Sequence, residues 1–142
     1  MANLTITAVD VRPLTGAITR KAIANEAMTV GDAVYIDGSS GGIPTVKMST
    51  SAALATSNLW GAVVAGDPAK NGATAIAVGD TVDVVTYGPV AGFSGATAGG
   101  FVWGSDTAGK FADAVGTKSV IAGVMETPTT LFIRPMQAVR ST

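Results

Sequence analysis

The side chains that carry most enzyme chemistry near neutral pH are missing from this sequence. It has 142 residues and contains no histidine and no cysteine. It therefore lacks the usual general base, the thiolate nucleophile and the two side chains that most often hold zinc. The aspartates near glycine or proline fit turn positions rather than a calcium-binding loop; these are Asp32, Asp37, Asp67, Asp80, Asp83, Asp106 and Asp113. We expect no metal, no cofactor and no enzymatic activity.

One segment is similar to a phosphate-binding loop. Residues 104–110 (GSDTAGK) match the first seven positions of the pattern G-x-x-x-x-G-K-[ST]. The eighth position should supply a hydroxyl to magnesium, but it is Phe111. The sequence that follows is interrupted by Gly116 and lacks the helix whose N-terminus would face the phosphate. The segment therefore predicts a glycine-rich turn.

The same segment contains the triplet Asp106-Thr107-Ala108, which resembles the aspartate motif of aspartic proteases. A homodimer could bring two such carboxyl groups together and raise the pKa of one of them. The protease motif follows apolar residues of a buried strand, whereas Gly104 and Ser105 stand there in this sequence. An aspartate that begins a turn is the better interpretation.

The sequence is poor in charge. Charged residues make up 13% and the net charge is −1, whereas an ordinary globular domain has about 25% charged residues. Such a surface carries small neutral side chains or is buried against other protein, and we expect both. No basic patch favours nucleic acid. The apolar run 59–66 (LWGAVVAG) is too short to span a membrane, and the N-terminus does not resemble a signal peptide.

Abundant valine and threonine, together with 18 glycines, favour an all-β fold in one core domain. Short apolar runs between turn signals predict a small β-barrel or β-sandwich. The predicted strands are 33–37, 43–48, 58–65, 73–78, 81–90, 99–103, 118–125 and 130–134, the last of which should end at Pro135. Asn71-Gly72 predicts a hairpin turn before the strand 73–78.

Residues 1–25 are expected to form an extended N-terminal arm, and residues 26–142 the core domain. The segment 4–12 alternates apolar and polar residues with a one-residue slip, which predicts a bulge or a change of packing partner. Residues 20–27 could form two helical turns, although no capping residue supports them. Because an extended arm can add as a strand to a neighbouring chain, the candidate interface residues are Leu4, Ile6, Val9, Val11, Arg12, Leu14 and Ile18.

The eight aromatic residues lie mostly inside predicted strands, and most of them are expected in the core. Aromatic side chains also anchor interfaces when they are partly exposed. An exposed Trp60 or Trp103 could instead stack on a sugar ring, which leaves carbohydrate binding open as an alternative function.

Six short motifs in a fixed order resemble one protein family. They are 30–35 (VGDAVY), 59–64 (LWGAVV), 78–84 (VGDTVDV), 100–103 (GFVW), 108–111 (AGKF) and 121–124 (IAGV). This order is similar to that of the capsid cement, or head decoration, proteins of tailed bacteriophages, in which a G-D-x-V-Y strand, a G-x-V strand and an A-G-K-[VF] turn recur. The resemblance covers about residues 26–134.

The resemblance implies a β-tulip-like barrel or sandwich without catalytic residues. The chain would be made in the host cytoplasm and would bind the major capsid protein on the outer surface of the virion. There it would act as a homotrimer that strengthens the icosahedral head against the pressure of packaged DNA. A tail or fibre module that binds host carbohydrate is the alternative, and an aspartic protease dimer is a third interpretation.

Overall fold

The computed structural model describes residues 2–64 and 75–137, and most of these residues lie in β-strands. The strands are β1 (Thr5–Ile6), β2 (Arg12–Pro13), β3 (Ile18–Ala24), β4 (Ala33–Ser40), β5 (Ile43–Met48), β6 (Leu59–Val64), β7 (Thr81–Ala91), β8 (Phe93–Ser94), β9 (Phe101–Gly104), β10 (Phe111–Ala112), β11 (Val120–Thr127) and β12 (Thr130–Gln137). Two single 3-10 turns, Ala8–Asp10 and Leu54–Thr56, complete the regular structure. The predicted all-β fold is confirmed.

Five strands close into a barrel in the order β7-β3-β5-β4-β6, with β6 pairing back to β7. The pair β3–β5 is parallel, and the other four pairs are antiparallel. Closure brings β6 very close to β7 at Gly61, where any side chain would collide with the carbonyl oxygen of Val85. Glycine at this position is therefore a requirement of the barrel.

An outer sheet extends from the second half of β7. Strand β12 pairs with β7 from Thr130 opposite Ala91 to Ile133 opposite Gly88, and β11, β9 and β10 follow outward in that order. Strand β6 pairs with an earlier part of β7, around Val84. The long strand β7 is thus shared, with its first half in the barrel and its second half in the outer sheet.

The core contains side chains from both parts of the fold. Val82, Val84 and Val85 of β7 are buried on both faces of the strand, as expected for a strand that lies between two layers. The rings of Phe93 and Phe111 meet edge to face, with their centroids 5.4 Å apart, at the inner side of the outer sheet.

The N-terminal segment lies against the rest of its own chain, where the N–H of Leu4 donates to the carbonyl of Phe111 and that of Thr7 to the carbonyl of Gly92. Strand β3 pairs with β7 over most of its length, so the segment 18–24 is a strand rather than the helical alternative. The slip in alternation coincides with the 3-10 turn Ala8–Asp10. Because of this turn, Leu4 and Val11 are both buried, at 3% and 7% exposure.

Most predicted strands are present, with differences at their ends. Strand β12 runs through Pro135 to Gln137, because a bulge opposite Ile121–Gly123 removes Pro135 from the ladder and β12 has already left β7. Strand β4 extends to Ser40 and turns at Gly41-Gly42, both with positive φ. The hairpin at Asn71-Gly72 lies outside the described residues, as do residues 73 and 74 of the predicted strand 73–78. Among its described residues, 75–78, Ile76 forms an isolated bridge with Met28.

Candidate functional site

The segment that is similar to a phosphate loop is a β-turn between β9 and β10. Strand β10 follows Lys110 directly, so no helix N-terminus faces this turn. The carboxylate of Asp106 accepts hydrogen bonds from the backbone N–H and the hydroxyl of Thr117, at 2.9 and 2.7 Å. The prediction of a turn is confirmed, and Asp106 is bonded within a loop of its own chain.

Asp32 is the most deeply buried carboxylate of the described part, at 4% exposure. It accepts a hydrogen bond from the backbone N–H of Thr29 at 2.9 Å, and the ammonium of Lys110 lies 3.9 Å away. Burial raises the pKa of Asp32, although Thr29 and Lys110 act in the opposite direction. This carboxyl group links the turn before β4 to the 104–110 segment, directly beneath Gly109. Its contacts are those of a structural group.

The described residues bring no metal-binding set together. Among residues 2–64 and 75–137 there is no group of three or more carboxylate, imidazole or thiol side chains placed to hold an ion. Of the aspartates that were assigned to turns from the sequence, Asp80 accepts a hydrogen bond from the N–H of Ala77 within its own turn. Asp113 accepts one from the N–H of Ala2, which is distant in the sequence. The surface feature that stands out is therefore its set of exposed apolar side chains.

The outward side of the outer sheet is lined by apolar residues in two cross-strand rows. The first row runs from Phe101 to Val124 to Phe132, each opposite the next on neighbouring strands. The second row, three residues earlier on β11, joins Trp103, Ile121 and Met136 in the same way. Tyr87 and its partner Ile18 continue the surface onto β7 and β3. We call this surface the aromatic face; it consists of Ile18, Tyr87, Phe101, Trp103, Ile121, Val124, Phe132 and Met136.

The aromatic face is exposed and its rings are held in place by one another. Phe101 and Ile18 are each 54% exposed, Met136 is 49% exposed and Tyr87 is 44% exposed. Tyr87 and Phe132 meet edge to face at 5.2 Å between centroids, and Phe101 and Trp103 meet at 6.3 Å. A preordered aromatic surface loses little side-chain entropy when a partner covers it.

The size of the aromatic face points to a contact with protein. Five strands at about 4.8 Å spacing make the face about 20 Å wide. A continuous apolar patch of this size is comparable to the largest patch of a typical monomer, and such patches are often interaction sites. The arrangement can bury hydrophobic area against another chain.

Most aromatic residues were expected in the core, but most of them lie outside it. Only Phe93 and Phe111 of the eight are buried, and four of the others form the aromatic face. In β9 the residues alternate as Phe101-Val102-Trp103, with the valine buried between two outward rings. The alternation was visible in the sequence, but it does not tell which of the two sets faces outward.

The residues predicted as an interface are spread over different environments. Leu4 and Val11 belong to the hydrophobic core of their own chain. Ile6 and Leu14 are half-buried, and Ile6 lies over Gly31. Val9, Arg12 and Ile18 are exposed, and of the seven residues only Ile18 belongs to the aromatic face.

Two open hollows lie on the surface formed by the described residues. One, of about 360 Å³, is polar and is lined by Thr7, Asp10, Arg12, Ser94 and Thr129, next to the N-terminal segment. The other, of about 410 Å³, lies where β6 and β12 separate at the edge of β7. It is lined by Ile36, Asn58, Leu59, Trp60 and Pro135.

Comparison of the chain with models of known protein families and with curated proteins finds no match. In the part of the chain that the structure describes, no helix is long and apolar enough to cross a membrane.

Proposed function

We propose that this chain is a structural protein of a phage particle, a cement protein that binds the outer surface of an icosahedral head. The observation that carries the proposal is the aromatic face, which presents hydrophobic area outward on a preordered sheet and is suited to contact with neighbouring subunits of an assembly. Contact with another protein would bury this exposed apolar area. The motif order that resembles head decoration proteins supports the choice of a capsid as that assembly.

The low charge of the chain supports the same proposal. With 13% charged residues and a net charge of −1, many copies can lie side by side with little mutual repulsion. Some charges are already used within the chain, such as Lys21, which pairs with Asp83 across β3 and β7 at 2.8 Å. Contacts in such a lattice would depend mainly on apolar packing. Many weak contacts made at the same time would hold the chains firmly on the head through avidity.

The exposed side of the N-terminal segment is the surface that we assign to the shell. Val9 is 66% exposed at the tip of the 3-10 turn, and Arg12 lines the adjoining polar hollow. An apolar residue beside a guanidinium and several hydroxyl groups fits a protein surface of mixed polarity. The homotrimer stays a prediction that follows from the resemblance to decoration proteins.

Binding to heads tests the proposal. Expanded heads of the phage that carries this chain, prepared without it, should bind the chain to saturation and resist heating better afterwards. Val9→Asp should reduce binding. The matched control is Val78→Asp, because Val78 is 64% exposed but lies near the opposite end of β7. The proposal fails if the unaltered chain does not co-sediment with these heads.

A second candidate function rests on the hollow beside Trp60. A partly exposed indole next to the amide of Asn58 is a combination that could stack on a sugar ring and donate to its hydroxyls. This would make the chain a tail or fibre module that binds host carbohydrate. Binding to a glycan array that is lost in Trp60→Ala, and kept in Trp103→Ala, would favour this function over the first.

A further inference from the structure

Residues 2–6 fill a gap between two short strands at the edge of the fold. Asn3 forms a bridge with Ala112 of β10, and β1 pairs with β8, with Thr5 opposite Ser94. In the described part of the chain, no other strand pairs with β8 or with this edge of β10. We call this gap between β8 and β10 the seam. An extended segment in the seam supplies the edge pairing that these two strands need.

The contacts in the seam join residues that are distant in the sequence. The N–H of Leu4 donates to the carbonyl of Phe111 at 2.8 Å, and the Leu4 side chain is buried. The side chain of Asn3 accepts a hydrogen bond from the hydroxyl of Ser105 and donates one to that of Thr107 at 3.2 Å. Because these contacts do not depend on nearby residues of the same chain, residues 2–6 of another copy can make all of them.

The strand order of the barrel recurs in the outer sheet and shows that the seam is a position for a strand. The order β5-β4-β6-β7 corresponds to β10-β9-β11-β12. Gly61 of β6 lies opposite Val34, and Gly123 of β11 lies opposite Val102, each next to a register shift. The barrel has β3 beside β5, where the outer sheet has the seam beside β10. The seam holds a shorter strand, because β1 has two residues and β3 has seven.

One turn connects the N-terminal segment to β3. The N–H of Ala17 donates to the carbonyl of Leu14 at 3.0 Å, which closes the turn. Gly16 has a φ of 94°, and the space around it is open. A glycine at this position can change to an extended conformation without a steric penalty. Opening of this turn would carry residues 2–13 away from their own chain as one segment.

The aromatic face alone is too small to hold copies of this chain together. It has eight residues, whereas a stable interface has about 20–30 residues on each side. Exchange of residues 2–13 would add twelve residues to the contact between copies, among them the buried Leu4 and Val11. With both contributions each copy reaches the lower end of that range.

We propose that residues 2–13 are exchanged between copies in the homotrimer, so that the seam of each copy holds residues 2–6 of its neighbour. The inference rests on the homotrimer of the proposed function and names the contact that holds it together. Exchange replaces each contact within a chain by the same contact between two chains, so its cost in free energy is small. Because the segment and the seam are different surfaces, the contact is head-to-tail and can close into a ring of three.

Disulfide trapping tests the exchange, because the chain has no cysteine of its own. Thr5 and Ser94 are directly opposite on β1 and β8. In antiparallel strands the Cα atoms of such residues are about 4.5–5.5 Å apart, which a disulfide can span. A chain with Thr5→Cys and a chain with Ser94→Cys are unfolded together, refolded and oxidised. Exchange predicts a covalent heterodimer, and the double variant should give a covalent trimer on a denaturing gel.

The matched control is the pair Lys21→Cys and Asp83→Cys. Lys21 and Asp83 are directly opposite on β3 and β7, in the barrel that is not exchanged. On separate chains these two cysteines should give only the background of random disulfides. In the double variant they should form a disulfide within one chain. Circular dichroism shows that every variant is folded.

Three results would overturn the inference. They are a Thr5/Ser94 mixture that gives no more heterodimer than the control mixture, a double variant that stays monomeric, and a covalent product that stops at the dimer. Binding of the unaltered chain to heads is measured separately. A chain that binds heads without exchange overturns this inference alone, whereas an exchanged trimer that binds no heads overturns the proposed function alone.

Discussion

At the level of single residues, two aspartates show how the surroundings set the behaviour of one side-chain type. Burial is the main cause that raises the pKa of Asp32. Partial burial acts to raise the pKa of Asp37 as well. However, the hydroxyl of Thr45 at 2.7 Å, the amide of Asn25 at 2.8 Å and the charge of Lys47 together outweigh it and lower the pKa of Asp37. Folding should therefore respond to pH in opposite ways at the two positions.

Replacement of each aspartate by asparagine should reveal this difference in the free energy of unfolding. The charged form of Asp32 is disfavoured in the folded state, so its contribution improves as the pH falls through its raised pKa towards 3.8. Asp32→Asn should therefore match or exceed the stability of the unaltered chain at pH 7 and lose this advantage in acid. Urea unfolding between about pH 4 and pH 8 measures this difference in stability between the variant and the unaltered chain.

Asp37→Asn is the matched comparison, and its effect on the free energy of unfolding should have the opposite sign. The lowered pKa of Asp37 means that its stabilising effect is present above pH 3.8 and is lost as the pH falls through the folded-state value. This variant should be less stable than the unaltered chain at pH 7, and the difference should shrink in strong acid. Equal losses of unfolding free energy at pH 7 for both variants would contradict the conclusion that the charged form of Asp32 destabilises the folded state.

At the level of strands, the alternation of residues predicted most of the barrel. The turn at Gly31-Asp32 and the strands β5 and β7 agree with the sequence, because glycine and aspartate define turns and valine-rich runs define buried strands. The extension of β12 past Pro135 could not be predicted, since it depends on a bulge in β12 itself, opposite Ile121–Gly123. The pairing of β3 with β7 could not be predicted either. Strand β3 (Ile18–Ala24) begins with four exposed residues in succession, so its sequence shows no clear alternation of apolar and polar residues.

The N-terminal segment gives a prediction at this level. Because Leu4 is buried in the core, Leu4→Ala should lower the free energy of unfolding by about 2–4 kcal/mol. Val9→Ala removes methyl groups from a 66% exposed side chain in the same segment and should change stability by less than about 0.5 kcal/mol. Urea unfolding compares the two. Similar small effects would show that the segment behaves as a detached arm.

At the level of the whole molecule, the candidate surface depends on the shared strand β7. The first half of β7 is enclosed by the barrel, and its second half carries an outer sheet whose inner side packs on the core. The outer side is left uncovered as a consequence. The sequence contained the aromatic residues and their alternation, but the direction in which they point follows from the way two sheets share one strand. For this reason the aromatic face could not be predicted, although the low charge indicated that some such surface exists.

The proposal that this chain is a capsid cement protein is tested most directly by electron microscopy of heads with and without it. Expanded heads lacking the chain should gain, after incubation, density on the outer surface at regularly repeated lattice positions. The barrel and the outer sheet should fit this density, with the exposed side of the N-terminal segment towards the shell. Heads that remain bare at saturating concentrations of the folded chain would contradict the account.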